Sequence, residues 1–269
     1  MAKNEEEEYL KIAARPLKLL GAGVSGHVFV VDDHTVVKVA LKSGNAYMDN
    51  EWLQDHLIER RIYERLGKHD RICELKYTID RGLVLARLKQ CLRERLVDFR
   101  KRNMLPSYEE RFRWSIQAAQ GSAYIHEKGV LQSDIGCQNL LLDENDNIKL
   151  CDFGGSSIDG SKPLCSPGTG FQRPTEDEDT INIRDELFAL GSTIYEIWTS
   201  KKPYQDDSGC DADYRTVLDH FKNQRFPDLT GILPASIIMK CWLGYYASAA
   251  EVVIDFEALR KTLTTRIKP

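Results

Sequence analysis

The spacing of apolar positions changes along the chain. Up to about residue 90 they come in short runs, and from about residue 107 they recur at helical spacing. In "LKLLGAGVSGHVFVVDDHTVVKVA" two β-branched runs flank Asp32, Asp33 and His34, a turn signal, so two strands are predicted. A Gly-rich stretch interrupts the first run. "AYMDNEWLQDHLIERRIYERLGKH" places Trp52, Leu53, Leu57, Ile58, Ile62 and Leu66 near helical spacing and closes at Gly67, which predicts a helix. "RICELKYTIDRGLVLARL" predicts two further strands, with Asp80, Arg81 and Gly82 between them.

The later part is helical. "SYEERFRWSIQAAQGSAYIHEKG" begins with Ser107 and has Glu110 three residues on. In such a capping box each side chain accepts a backbone N–H that a helix start leaves without a partner. Two short strands, "NLLLD" and "IKLCD", follow, joined by the polar "ENDN". After a stretch rich in Gly, Ser and Pro comes the strongly apolar, helical "ELFALGSTIYEIWTS". There is no internal repeat and no long linker. A β-rich N-terminal part followed by an α-rich part predicts an α+β fold of two lobes with a cleft between them.

Composition narrows this little. The chain's 269 residues allow one large domain or two lobes, and 42% hydrophobic with 29% charged residues is ordinary for a globular protein. The formal net charge of -4 gives no reason to expect a nucleic-acid partner. The acidic run Glu5 to Glu8 predicts a solvated extension over residues 1–14. The seven cysteines are odd in number, scattered and without a C-x-x-C, which argues against a disulfide framework or zinc site and for a reducing compartment. No basic region followed by an apolar core stands at the N-terminus, and no apolar run could span a bilayer. The expectation is a soluble cytoplasmic or nuclear protein with no membrane partner.

The candidate chemistry lies in five places. "GAGVSGHV" is G-x-G-x-x-G-x-V, with Gly21, Gly23, Gly26 and Val28; glycines let backbone approach phosphates because no Cβ intervenes. Alone the motif is weak. A dinucleotide fingerprint needs a helix next, but strands follow here. Lys38 lies in the second of these strands, where it could reach phosphate oxygens. The next helix offers Glu59 to hold it, with Glu64 as rival. Asp134 could orient a hydroxyl and accept its proton, and the carbonyl of Asn139, five residues on, could bind a metal. Asp152, in "CDFGG", is a hard oxygen ligand suited to magnesium. A single Asp in a turn is ordinarily turn chemistry, but five such elements together in this order make coincidence a poor account.

At these residues the chain resembles the protein kinase family, over about residues 15–260. The resemblance rests on "GAGVSGHV", "VVKVA", "DIGCQN", "DFG" and "LFALGSTIYEIWTSKKPY". The wording of "SDIGCQNLLL" and "FALGSTIYEI" is similar to small kinase-like proteins of filamentous fungi. The resemblance implies a two-lobe kinase fold, N-lobe 15–88 and C-lobe 89–269, with ATP and magnesium as cofactors and a protein hydroxyl as substrate. It implies that Gly21, Gly23 and Gly26 cover the ATP phosphates, and that Lys38, braced by Glu59, holds the α- and β-phosphates. It further implies Asp134 at the substrate hydroxyl, Asn139 and Asp152 on magnesium, and Leu85 as gatekeeper. The backbone of Ala86 and Leu88 would face the adenine, with Val28 and Val36 lining its pocket.

The chain also departs from the family pattern. Gln132 and Ser133 stand where the family usually has His-Arg. Gln can still hydrogen-bond to backbone, but Ser133 cannot pair with a phosphate on the activation segment. Gly136 stands where Ser/Thr kinases usually carry a Lys. Thr175 replaces the Glu of Ala-Pro-Glu, and Ala249 stands near its usual Arg partner, so both halves of that ion pair are expected to be absent together. Glu186, after Asp185, takes the place of the Asp that supports the catalytic loop. Ser133 and Gly136 keep open a pseudokinase acting as nucleotide-binding scaffold. A small-molecule kinase of the aminoglycoside or choline type shares an Asp…Asn loop, but "DFG" and "LFALGSTIYEIWTSKKPY" fit protein kinases better.

Overall fold

The computed structural model describes residues 17–23, 26–175 and 180–266. The acidic stretch 1–14 lies outside them, as do Val24 and Ser25 of the glycine-rich loop. The fold is α+β and two-lobed. A five-stranded antiparallel sheet is built from β1 (Lys18–Ala22), β2 (Gly26–Val30), β3 (Thr35–Ala40), β4 (Leu75–Ile79) and β5 (Gly82–Ala86), in the order β1-β2-β3-β5-β4. The hairpin between β4 and β5 needs only Asp80 and Arg81. Gly82, expected in the turn, is therefore the first residue of β5 and pairs with Ile79.

Alternation along these strands decides which side chains meet the rest of the protein. Val36 of β3 and Leu83 and Leu85 of β5 face the large core that runs through both lobes, and Val28 of β2 packs against it. Val37, Ile79 and Val84 form a separate small cluster on the outer face, with Phe29 and Val39 against it. Lys38, two residues after Val36, shares the inner face.

One long helix, α1 (Ala46–Leu66), packs on the inner side. The Asn45 side chain caps it by accepting from the N–H groups of Tyr47 and Met48. Its buried residues, His56, Glu59, Ile62, Tyr63 and Leu66, fall every three or four positions and so form one stripe.

The second lobe is helical. After the two-residue strand β6 (Gln90–Cys91) comes α2 (Leu92–Lys101), which the hydrophobic pattern did not announce because only Leu92 and Leu96 are buried in it. The predicted capping box starts α3 (Tyr108–Glu127): Ser107 Oγ accepts from Glu110 N at 3.2 Å, and the Glu110 carboxylate accepts from Ser107 N at 2.8 Å. Then come β7 (Val130–Leu131), a short 3₁₀ turn over Cys137–Asn139, and β8 (Leu140–Leu142) paired with β9 (Ile148–Leu150). The short strand β10 (Ser157–Ile158) pairs with β7. The apolar α4 (Ile183–Thr199) is buried along most of its length and forms the axis of this lobe. Three helices complete it: α5 (Tyr214–Lys222), α6 (Ala235–Trp242) and α7 (Ala249–Arg266). No described helix is long and apolar enough to cross a membrane.

Candidate active site

Sheet alternation, the α1 stripe and two loops of the second lobe converge on the cleft. Lys38 Nζ lies 2.7 Å from Glu59 Oε2 and 2.6 Å from Asp152 Oδ1. Glu64, the rival for Lys38, bonds instead to Arg60 on the exposed side of α1, at 2.8 Å. Glu59 is buried and its second oxygen accepts from Phe153 N at 3.2 Å, which ties helix α1 to the segment carrying Asp152. The Phe153 ring is fully buried and meets Tyr63 of α1 edge-on at 5.2 Å. Burial by itself would lower the Lys38 pKa, but the two carboxylates outweigh it and hold the ammonium above its usual range. Burial pushes the Glu59 carboxyl up, against the pull of Lys38.

Gly26 allows a close approach here. A Cβ at that position would lie 3.0 Å from the carbonyl oxygen of Val39 and 3.5 Å from Lys38 Cε. The glycine-rich turn is closed by Gly23 N donating to Gly26 O at 2.8 Å. Gly21 lies in β1, opposite Val28. Val36 pairs in register with Leu85, and Ala86 ends β5 with Leu88 two residues beyond. Val28, Val36, Leu85 and Leu88 all pack on the common core, so the apolar positions assigned to the adenine side share one face.

On the other side of the cleft Asp134 is half-buried. Asn139 Nδ2 donates to Asp134 Oδ2 at 2.9 Å and to its backbone oxygen at 2.8 Å. Burial raises the Asp134 pKa; the amides of Gln138 and Asn139 and the charge of Arg93 oppose that rise, and Asp152 adds to it. Asp152 is exposed toward the cleft, with 51% of its side chain accessible. Its Oδ1 is taken by Lys38, which leaves Oδ2 and the Asn139 carbonyl oxygen as donors. No cluster of three or more His, Cys, Asp or Glu that could cage a metal occurs among the described residues. Two hard oxygens without a cage fit magnesium, which is commonly held by one or two protein ligands together with nucleotide phosphates and water.

The loop is supported in an altered way. Glu186, near the start of α4, accepts from both Gln132 N and Ser133 N at 2.9 Å. Gln132 Nε2 donates to the carbonyl of Cys151 at 2.7 Å, linking the loop that carries Asp134 to the residue before Asp152. Ser133 and Asp152 both hold left-handed backbones, with φ of 68° and 59°. Such conformations cost roughly 1–3 kcal/mol and persist only where surroundings enforce them.

Three ion pairs that the sequence did not disclose brace the site. Arg173 Nε lies 2.6 Å from Asp185 Oδ1, tying the end of the segment after Asp152 to α4. Ala249, near the expected Arg position, is buried in the core. Arg65 at the end of α1 makes a double contact with Asp159, 2.8 Å at each oxygen. Arg93 of α2 grips Glu196 of α4 at 2.7 and 2.8 Å and lies 5.5 Å from the Phe171 ring.

Comparison with known proteins agrees with this arrangement: the model of the protein kinase domain matches residues 15–236. The chain belongs to the protein kinase family. This kinase domain is 25% identical over 259 residues to "Probable serine/threonine-protein kinase SIS8" of Arabidopsis thaliana, covering 91% of this chain and 25% of that protein. It is 23% identical over 241 residues to "Serine/threonine-protein kinase Nek5" of Mus musculus, covering 81% and 36%. A Dictyostelium discoideum protein named as a probable serine/threonine-protein kinase is 35% identical over 136 residues, covering 48% and 14%. The chain spans well under half the length of each of these relatives.

Proposed function

We propose that this kinase domain transfers the γ-phosphate of ATP to a serine or threonine hydroxyl of a protein, with magnesium as cofactor. The observation that carries the reading is the position of Lys38 Nζ between Glu59 and Asp152, with Asp134 bonded to Asn139 across the cleft. On this reading the N-lobe, 15–88, and the C-lobe, 89–269, enclose the nucleotide. Gly21, Gly23 and Gly26 lie over its phosphates, Val28 and Val36 against its adenine, and Ala86 and Leu88 offer backbone to the adenine edge. Lys38 holds the α- and β-phosphates, and Asp134 receives and orients the substrate hydroxyl. Asn139 and Asp152 would hold magnesium, which neutralises charge on the phosphates when bound. The Ser/Thr preference rests on the relatives' names and on "DIGCQN".

A second reading, a nucleotide-binding scaffold, is favoured by one observation: position 136 carries no side chain. The two part in a transfer assay with labelled ATP and a generic protein substrate, with Asp134→Asn as control. Label incorporation that disappears in the variant supports catalysis; incorporation equal in both refutes the role of Asp134. A thermal-shift titration with ATP should show a larger shift with magnesium than without, and Asp152→Ala should abolish that increment.

A further inference from the structure

The backbone of Gly136 is extended, at φ 179°, so its conformation does not call for glycine. Its surroundings do. A Cβ at 136 would lie 2.2 Å from Gln138 Oε1 and 2.7 Å from Gln138 Nε2. The 3₁₀ turn that begins at Cys137 carries the Gln138 side chain back over Gly136. There Nε2 donates to the backbone oxygen of Asp134 at 3.3 Å, beside the 2.8 Å bond from Asn139 to the same oxygen. Two side-chain amides from consecutive residues thus converge on one residue of the cleft. Gln138 Oε1 is buried, and no donor reaches it among the described residues. A buried acceptor left unmatched is costly, and a half-exposed glutamine could relieve that cost by swinging into solvent. It stays folded back.

We propose that Gln138 is a positioning residue of the catalytic loop, and that Gly136 is the space it folds into. The two positions work as one unit: the amide of Gln138 steadies Asp134 through its backbone, and any side chain at 136 would displace that amide. The proposal rests on the phosphoryl-transfer reading above.

The group that a new Cβ would strike is the far end of a flexible side chain, so Gly136→Ala should fold and melt like the wild type. The test compares Gly136→Ala, Gln138→Ala and the double variant for kcat, KM for ATP and melting temperature. Each single variant should lose roughly ten- to a hundredfold in kcat, the scale of a misplaced catalytic group. KM for ATP and melting temperature should stay near wild type, and the double variant should be no worse than either single one. Wild-type turnover in Gly136→Ala, or a double loss equal to the product of the single losses, would overturn the proposal. NMR of the glutamine side-chain amides gives a readout independent of turnover. The Gln138 signal, assigned by its absence in Gln138→Ala, should be displaced from the free-glutamine position in the wild type and return to it in Gly136→Ala. A free-glutamine signal in the wild type would also overturn the proposal, whereas a displaced signal without kinase activity would refute only the phosphoryl-transfer reading.

Discussion

Glu186 is the sharpest place to perturb the site without touching a group assigned to nucleotide or substrate. Its two oxygens each accept a backbone N–H, from Gln132 and Ser133, and the carboxylate is almost fully buried. Hydrogen bonds to a charged group contribute about 1.5–3 kcal/mol each, so Glu186→Ala should cost ~3–6 kcal/mol and leave two buried N–H groups unmatched. The left-handed Ser133 adds to this, because those bonds help enforce its backbone. Glu186→Gln keeps one acceptor and turns an NH₂ toward the second donor, so it should cost about half as much. Glu186→Asp draws the carboxylate back by about 1.5 Å, one carbon–carbon bond, and should also weaken both bonds. In urea unfolding with a slope near 3 kcal/mol/M, the Ala variant's midpoint should fall by ~1–2 M at unchanged slope. Its kcat should fall by roughly a hundredfold as Asp134 loses its placement. An Ala variant with the wild-type midpoint would show that these two bonds do not hold the loop.

Other perturbations follow from the same geometry. Lys38→Ala should lower phosphoryl transfer by ~100-fold or more, and near-normal turnover would remove Lys38 from the chemistry. The same variant leaves buried Glu59 without its cation, so its already raised pKa should climb further. A carboxyl whose folded pKa exceeds its unfolded value gives stability below the unfolded pKa that is lost as pH rises. Lys38→Ala should therefore melt lower at pH 8 than at pH 5, and the reverse order would refute the reasoning. Burial and the nearby charges of Lys38, Arg81 and Arg60 push the His56 pKa from 6.5 down to about 4. A depressed His contributes its stability above pH 6.5 and loses it as pH falls toward 4, by on the order of 2 kcal/mol once partial water access is allowed for; His56→Gln should flatten that limb of the stability curve. Activity should survive complete phosphatase treatment verified by mass spectrometry, because Ser156 and Ser157 are buried and the segment is already tied down by Arg65–Asp159 and Arg173–Asp185. A large loss restored by rephosphorylation would refute this.

Part of the site was legible in the sequence: Lys38 as a cation on a strand after the glycine-rich motif, and Glu59 as one of two acids offered by the next helix. The apolar stripe expected in α1 holds at Ile62 and Leu66, but Leu57 is exposed, because the buried stripe runs through His56 and Glu59 instead. The capping box marked the first residue of α3 because its two bonds are local. The three bracing ion pairs were not legible, since their partners stand 12, 94 and 103 residues apart in the chain. Arg173 ties the segment after Asp152 to α4 through Asp185, which the sequence marks only as the neighbour of Glu186. Helix α2 was missed because its burial is confined to Leu92 and Leu96. Its run of Leu, Arg and Glu, all good helix formers, was the signal available. The fold-back of Gln138 could not be anticipated, because a glycine with extended backbone announces nothing about which side chain occupies its empty side.

The alternation in β3 also limits which changes in chain length this protein can tolerate. Lys38 and Val36 point inward while Val37 and Val39 point outward, and β3 is paired on both sides, with β2 and β5. A residue inserted or deleted between Thr35 and Lys38 cannot be absorbed at an edge. It would turn the ammonium onto the outer apolar cluster and aim a valine at Glu59 and Asp152. The turn at Asp32–His34, by contrast, lies outside the ladder and can lengthen without moving Lys38. Natural or engineered length variants of this domain should therefore gather at that turn and avoid the four residues that follow it.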